Sequence, residues 1–363
     1  MKIHSIILCA GLGVWASACQ HPKSSATDQK ERLGKMIFHD ESLSAPAGQS
    51  CATCHDAGKG FADKDARAVS EGAVKGFFSA RNSMSICYAK YVPELYYDEE
   101  EGTYVGGLFW DGRTPDLKSQ AAEPFVNPVE MGNRDKAEVV EKVRRADYYP
   151  LLVDIYGETG DADSLYSYVT DALAAYEASD EINSFSSKYD AYLNGKYKLT
   201  GEEQRGLELF KDKGMCAECH ILEEDPRAGK PLFTDHTYDN LGIPRHPDNP
   251  HYRVPSPYFT LTADSLDLGL GGIVNKEEEC GKFRVPTLRN IEKTAPYGHN
   301  GYFATLEEIV HFYNTRLVNP DYPAPEYPAT VNVDELGDLG LSVQEEQDIV
   351  TFMKTLTDGF HPQ

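Results

Sequence analysis

Long apolar runs are missing from the sequence beyond its N-terminal segment. A membrane-spanning helix needs about 20 consecutive, mainly apolar residues, and the one early apolar stretch runs only from Ile6 to Trp15. The 363 residues are 40% hydrophobic and 26% charged, which is typical of a globular protein that folds in water. We therefore expect the bulk of the chain to form soluble domains.

Positive charge is also scarce. The sequence has 35 Lys and Arg against 58 Asp and Glu, a formal net charge of -23. Binding to phosphates requires a basic face, so this balance argues against nucleic acid as a partner. Most of the acidic residues serve solubility, but together they favour a basic protein partner through long-range steering.

Histidine is absent between His55 and His220, and Trp110 is the only tryptophan after Trp15. The long stretch between the two histidines therefore offers no imidazole as a metal ligand or as a general base. Any metal bound at His55 has to find its other ligands among different side chains or elsewhere in the chain.

The N-terminal residues have the features of a secretory signal. Met1-Lys2 precedes the apolar stretch, and Ala16-Ser17-Ala18 places small residues before Cys19. This arrangement resembles a bacterial lipoprotein cleavage box, although leucine is usual where Ala16 stands, and ordinary cleavage nearby is the alternative. We expect a signal peptide over 1–18, a lipid anchor at Cys19, a polar tether over 19–30 and a location in the periplasm.

Two short stretches share the pattern Cys-x-x-Cys-His. Their members are Cys51, Cys54 and His55, and Cys216, Cys219 and His220. In c-type haem attachment the two thiols of this pattern bond to the porphyrin and the histidine binds the iron. A zinc site and disulfides are the alternatives, but a histidine directly after both pairs favours two covalent haems. Cys87 and Cys280 remain, either as a disulfide or as buried thiols.

The surroundings of the two motifs repeat as well. The matching residues are Gly34, Phe38, Asp40, Phe61 and Asp63 around the first motif, and Gly206, Phe210, Asp212, Phe233 and Asp235 around the second. Such repetition is typical of one haem-binding unit used twice. We therefore expect an N-terminal domain over 31–196 and a C-terminal domain over 197–363.

The spacing of apolar residues predicts a mainly α protein. Helices are expected over 30–38, 137–149, 164–178, 305–313 and 342–356. Thr200 and Glu203 form a capping-box pattern at the start of another helix. The stretches 70–90 and 221–280 are predicted to be long ordered loops, and 98–102 a solvated turn.

Taken together, these residues resemble the bacterial di-haem cytochrome c peroxidases, including the MauG branch. The resemblance spans nearly the whole chain after the signal. It rests on Phe109-Trp110-Asp111-Gly112-Arg113, Gln120, Pro124, Glu130-Met131, 207–220, 232–235, 238–242, 285–290 and 294–297. It implies two cytochrome-c-like haem domains with long ordered loops between their helices, and hydrogen peroxide as the substrate.

The resemblance also implies roles for particular residues. Peroxide would react at the haem held by His55, and electrons would enter at the haem held by His220. Glu130 matches the acid that moves a proton between the peroxide oxygens. Gln120 and Pro124 would line the same cavity, and Trp110 would relay electrons between the haems.

Two features set this chain apart from many family peroxidases. Their N-terminal haem is capped at rest by a distal histidine, which this chain lacks, so we expect an open first haem, as in the MauG branch. Tyr313 stands where other family members carry methionine and the MauG branch carries tyrosine. We expect Tyr313 to be the sixth ligand of the second iron, where a phenolate favours the ferric state; His299 and Met353 are the competitors.

The remaining expectations concern calcium, partners and activity. The resemblance implies calcium between the domains, but its asparagine ligand falls near Cys87 or Tyr88, which leaves calcium open. A small electron-donor protein such as a cytochrome c or a cupredoxin is implied, and a homodimer is left open. The expected function is reduction of hydrogen peroxide to water. The alternatives are MauG-like oxidation of a partner protein's side chains and a di-haem electron-transfer protein without turnover.

Overall fold

The computed structural model describes residues 25–255 and 265–361. Its α-helices are α1 (Ala26–Phe38), α2 (Cys51–Cys54), α3 (Leu117–Val126), α4 (Lys136–Val143), α5 (Tyr149–Tyr156), α6 (Ala162–Glu177), α7 (Lys188–Leu193), α8 (Gly201–Lys211), α9 (Gly269–Val274), α10 (Leu306–Thr315) and α11 (Val343–Lys354). Two antiparallel pairs of short strands join β1 (Tyr96–Asp98) to β2 (Thr103–Val105) and β3 (Tyr238–Asp239) to β4 (Phe283–Arg284). The predicted mainly α class is confirmed.

None of the helices in 25–255 and 265–361 is both long and apolar enough to cross a bilayer. The predicted signal peptide over 1–18 and the lipid site at Cys19 lie outside the described residues.

The hydrophobic core consists of two clusters. The first is built around α1 and α6, and the second around α8 and α11. The two clusters do not divide at the predicted boundary near residue 197. Tyr189 of α7, before this boundary, belongs to the second cluster, and Leu232, after it, belongs to the first. The division at 197 therefore stays a prediction.

The helix pairs α1/α6 and α8/α11 pack in the same way at a glycine of their first helix. A Cβ atom on Gly34 would lie 1.9 Å from the carbonyl oxygen of Ala172, and one on Gly206 would lie 1.9 Å from that of Asp348. One turn further on, the edge-to-face ring pairs Phe38–Tyr176 and Phe210–Phe352 have centroid separations of 5.3 and 5.2 Å. The repeat in the sequence thus corresponds to a repeat in packing, and each pair carries a Cys-x-x-Cys-His motif after its first helix.

Helix α1 begins four residues before its predicted start. The Ser25 hydroxyl accepts the Asp28 N–H at 3.0 Å, and the Asp28 carboxylate accepts the Ser25 N–H at 2.9 Å, which completes a capping box. Residues 26–30 are therefore helical, so the prediction of a tether as far as residue 30 is wrong for these five.

The predicted helix over 137–149 is interrupted. Helix α4 ends at Val143 and α5 begins at Tyr149 with Pro150 in its first turn. Proline lacks an amide hydrogen and its ring clashes with the carbonyl four residues earlier, so Pro150 disfavours one continuous helix through this region. The Thr200 and Glu203 capping box at the start of α8 is confirmed.

Candidate active site

The first Cys-x-x-Cys-His motif lies on the one-turn helix α2, with His55 at its C-terminal end. The His55 Nδ1–H donates to the carbonyl of Phe61 at 3.0 Å, which leaves Nε2 as the atom able to bind a metal. Phe61 has a positive φ of 58°, a strained value for a bulky residue. Burial lowers the pKa of His55 and so favours the neutral imidazole that a metal ligand requires.

The second motif repeats this geometry. The His220 Nδ1–H donates to the carbonyl of Phe233 at 2.9 Å, and Phe233 has a φ of 55°. Burial lowers the pKa of His220 to about 4. Burial thus favours the neutral form of both histidines, and a hydrogen bond to the carbonyl of a strained phenylalanine fixes the orientation of each ring, which is the arrangement expected of an iron ligand.

All six cysteines in the described part of the chain are unpaired. Cys87 and Cys280 are separate thiols, each less than 9% exposed, so the disulfide alternative is wrong for this pair. The one compact group of metal-binding side chain types among 25–255 and 265–361 is Cys219, Asp239 and Glu335. The two motifs therefore do not combine into a four-ligand zinc site.

A large cavity surrounds the second motif. Its volume is about 200 Å³. Its wall contains Cys216, Cys219, His220 and many apolar side chains, among them Leu232, Val285, Leu288, Ile309, Val310 and Ile349. Two thiols, an imidazole and an apolar slot of this kind fit a covalently attached haem.

All three candidates for the sixth ligand line this cavity. Tyr313 lies on α10, and its hydroxyl makes no hydrogen bond within the residues that the structure covers. Burial raises the pKa of Tyr313, so its phenolate would form only through coordination to a cation. His299 stacks on Phe283 with a centroid separation of 3.6 Å, and Met353 lies on α11. Ligation by Tyr313 stays a prediction.

Glu130 lies on the turn after α3, close to the first motif. The Met131 N–H donates to the Pro124 carbonyl at 3.2 Å, which holds this turn against the end of α3. Burial raises the pKa of Glu130 to about 7, with Arg113 opposing the rise, and Glu130 is near enough to Cys54 to raise the pKa of that thiol. A carboxyl group with this pKa can accept or donate a proton near neutral pH.

The other predicted site residues are divided between the two motifs. Gln120 and Pro124 lie one turn apart on α3 and so share a helix face next to the Glu130 turn. Trp110 instead lines the cavity of the second motif, where its indole N–H donates to the Asn82 carbonyl at 2.9 Å. The structure thus joins Pro124 to the turn that carries Glu130, and Trp110 contributes to the wall of the cavity at the second motif.

A short segment connects the two motifs next to Trp110. The Ser85 hydroxyl donates to the Gly60 carbonyl at 2.6 Å, in the loop after the first motif. The Met84 backbone raises the pKa of His55 through a hydrogen bond, while residues 83–85 also line the cavity of the second motif. Trp110 is therefore at the junction of the two regions.

The residues at the expected calcium position do not fit that ion. Calcium takes six to eight oxygen ligands, whereas Cys87 is a buried thiol and the Tyr88 hydroxyl donates to Asp358 at 2.6 Å. The guanidinium of Arg289 already lies over the Tyr88 ring at 5.0 Å from its centroid. A fixed cation next to Tyr88 makes a second one unfavourable.

Sequence reasoning missed Gln49 as a neighbour of the first motif. Its amide donates to the Glu71 carbonyl at 2.9 Å and lies 3.5 Å from the Cys54 sulfur. Its position two residues before Cys51 was the only available signal. Arg284 and His236, in the wall of the cavity, were also missed.

Comparison with known proteins places these observations in a family. A family model described as di-haem cytochrome c peroxidase matches residues 28–198. The chain is 36% identical to the methylamine utilization protein MauG of Paracoccus denitrificans over 92% of this chain and 89% of the relative. It is 30% identical to cytochrome c551 peroxidase of Nitrosomonas europaea over 90% of this chain and 79% of the relative.

Solved structures agree with these relatives. The diheme peroxidase BthA from Burkholderia thailandensis matches with a TM-score of 0.81 and 33% identity, over 91% of this chain and 86% of that one.

Proposed function

Because this chain belongs to the di-haem cytochrome c peroxidase family, we propose that it reduces hydrogen peroxide to water at the first motif, with electrons entering at the second. Family membership makes the protein an oxidoreductase with two c-type haems. Covalent attachment through Cys51, Cys54, Cys216 and Cys219 is part of the proposal. When bound, such haems supply iron for binding peroxide and for electron transfer.

The single observation that supports this proposal most directly is the raised pKa of Glu130 close to the first motif. Its pKa of about 7 lets the ionised carboxylate accept a proton from hydrogen peroxide and return it to the departing oxygen as the O–O bond breaks. Pro124, held to the same turn, and Gln120 on the same face of α3 would limit the space around the substrate.

Trp110 is proposed as the group through which the two motifs exchange electrons. Its indole is fixed by the hydrogen bond to the Asn82 carbonyl, and it is next to the segment that contacts both motifs. A fixed aromatic ring at this junction supports a relay role, since it shortens the distance that each electron has to cross.

The proposed electron donor is a small basic protein such as a cytochrome c. Leu317, Val318 and Val333 form an exposed apolar patch beside the cavity wall, each at least half exposed. The Leu317 N–H donates to the Gly337 carbonyl, next to Leu336, which lines the cavity. Asp334 and Asp338 are exposed in the same loop, so the patch has an acidic rim that favours a basic partner.

A second candidate function is oxidation of a side chain on a partner protein, as in the MauG branch. Tyr313 in the cavity wall favours it, because a phenolate ligand stabilises oxidised states and would let oxidising equivalents persist. A near-infrared band that outlives the peroxide in the absence of a donor would support this candidate, and its absence would favour simple peroxide reduction.

The test of the main proposal is steady-state peroxide consumption with a reduced basic cytochrome c as donor. We expect Glu130→Gln to lower kcat by about 10²–10⁴-fold, since a positioned acid or base contributes that much. Glu141→Gln, a change at an exposed residue of α4, is the matched control and should keep full activity. Equal rates for Glu130→Gln and the wild type would contradict the role of Glu130.

We also propose that the protein faces the periplasm as a lipoprotein anchored at Cys19. The small residues before Cys19 and the absence of any membrane-spanning helix among the described residues are consistent with this. Cys19→Ser should release the protein from the membrane fraction, with unchanged haem content. Retention of this variant in the membrane would contradict the anchor.

A further inference from the structure

Arg284 is a buried cation without a counter-ion. It is 6% exposed and pairs with no carboxylate in the part of the chain that the structure describes. Its Nε–H donates to the Phe109 carbonyl at 3.3 Å, and its Nη2 lies 3.8 Å from the Met84 sulfur. A guanidinium has five N–H donors, so most of the hydrogen-bonding capacity of Arg284 is unused.

Other arginines with low exposure have more partners, although Arg316, 8% exposed, also pairs with no carboxylate among the described residues and donates instead to the carbonyls of Leu241, Asn332 and Leu336. Arg289 donates through both terminal nitrogens to Asp190 at 2.9 Å. Arg81 donates to Asp267 at 2.7 Å and to Asp111 at 2.6 Å. An isolated buried charge is unfavourable, and Arg284 has neither the carboxylates that face Arg289 and Arg81 nor the three carbonyls that face Arg316. Its charge is therefore left uncompensated by the described residues.

His236 is a second unsatisfied group near Arg284. It is 3% exposed, and neither ring nitrogen has a hydrogen-bond partner among the described residues. An Asp225 carboxylate oxygen lies 3.6 Å from Nε2, longer than a normal hydrogen bond, and raises the pKa of His236. Arg284 is close enough to lower the pKa of His236. His236 thus lacks a hydrogen-bond acceptor at normal distance, and the neighbouring Arg284 lacks an anionic one.

Both side chains line the cavity that contains Cys216, Cys219 and His220. The Arg284 backbone N–H also donates to the Trp110 carbonyl at 2.9 Å, so the cationic group is fixed at the junction of the two motifs. An anion in this part of the cavity would lie next to Trp110.

We propose that Arg284 and His236 bind the propionate carboxylates of the haem attached at the second motif. This inference rests on the proposed attachment of that haem at Cys216 and Cys219. A propionate would supply the negatively charged partner that Arg284 lacks. It would also supply the hydrogen-bond acceptor that His236 lacks, in the same cavity. Arg284 and His236 would be positioning residues: they would hold the carboxylates of the cofactor and affect the electrostatic environment of its iron.

The experiment is a spectroelectrochemical titration of the holoprotein at neutral pH that resolves the midpoint potential of the second haem. Arg284→Leu should lower this potential, because loss of a nearby positive charge disfavours the reduced iron and leaves a propionate charge uncompensated. Arg284→Lys keeps the positive charge, so its potential should stay close to that of the wild type. The control Arg134→Leu removes an exposed arginine, 77% accessible, and should leave the potential unchanged.

A count of covalent haems by the pyridine haemochrome assay separates failure of this inference from failure of its premise. A wild-type count below two per chain would overturn the proposed attachment. With two haems attached, an unchanged potential in Arg284→Leu, or equal shifts in the Leu and Lys variants, would overturn the role of Arg284. If Arg284→Leu does not mature, His236→Phe, which keeps the ring volume, should still lower the potential, and no shift would overturn the proposal.

Discussion

At the scale of single residues, the chemistry depends on carboxyl groups whose burial changes their proton affinity. Glu130 and Glu177 both have raised pKa values, of about 7 and about 8, with burial as the leading cause. Only Glu130 lies on a turn that also contacts Pro124, whereas the Oε2 atom of Glu177 has no hydrogen-bond partner among the described residues. We propose a catalytic role for the first group and expect the second to affect stability.

Glu130 should set the pH dependence of the reaction with peroxide. Its raised pKa means that the carboxyl group is protonated well below pH 7 and ionised above it. Since the ionised form accepts the proton of hydrogen peroxide, the bimolecular rate should rise through pH 7 and level off above it. Stopped-flow rates across this range test the prediction, and a Glu130→Gln variant with the same inflection would contradict it.

Glu177 should make the folded protein less stable as pH rises. Its pKa is raised from 4.5 to about 8, so between these values the folded chain keeps a proton that the unfolded chain has released. The free energy of unfolding should therefore fall with rising pH, by up to about 1.4 kcal/mol per pH unit. Urea titrations should give a flatter profile for Glu177→Gln, while Glu158→Gln, at an exposed residue, should match the wild type.

At the scale of helices, the sequence was most informative where local chemistry defines an end. The capping box of Thr200 and Glu203 correctly located the start of α8, because both partners are three residues apart in the chain. Helix α3 was not predicted, since Pro124 inside it is atypical of a helix and only tertiary contacts of its end explain its presence. Periodicity alone also failed to find the break before Pro150.

The close approach of α8 to α11 gives a prediction about Gly206. An added Cβ would lie 1.9 Å from the Asp348 carbonyl oxygen, a backbone atom that cannot rotate away. Gly206→Ala should destabilise the protein by about 1–3 kcal/mol or more through overpacking. Gly201→Ala in the same helix meets only the end of the Arg205 side chain, at 3.7 Å, and should be neutral or stabilising. Denaturant unfolding of both variants measures this difference in stability, and equal stabilities would contradict the packing argument.

At the scale of the whole molecule, the net charge of -23 should govern the encounter with an electron donor. The second-order rate with a basic cytochrome c should fall as ionic strength rises, because salt screens the attraction. Val318→Lys should raise the KM for that donor, because it places a positive charge in the proposed docking patch. Val343→Lys adds the same charge at a valine that is 69% exposed on α11, and should leave the KM unchanged. Equal KM values for the two variants would place the docking surface elsewhere.

The global arrangement was partly predictable. Family-specific spacing singled out the second motif and Tyr313, which the structure places in the wall of one cavity. The isolation of Arg284 could not be predicted, since it depends on which carboxylates three-dimensional packing brings near and which it does not. The same limit applies to the electrostatic influence of Glu130 on Cys54.

The central claim is that the first haem site is open to peroxide at rest and is served by Glu130. It is tested most directly by mixing the fully oxidised holoprotein with one equivalent of hydrogen peroxide, without reductant, in a stopped-flow spectrometer. We expect rapid loss of the ferric Soret band in the wild type and a much slower loss in Glu130→Gln. An unchanged spectrum until one electron is supplied would contradict the open site, and an unchanged spectrum in both states would indicate an electron carrier.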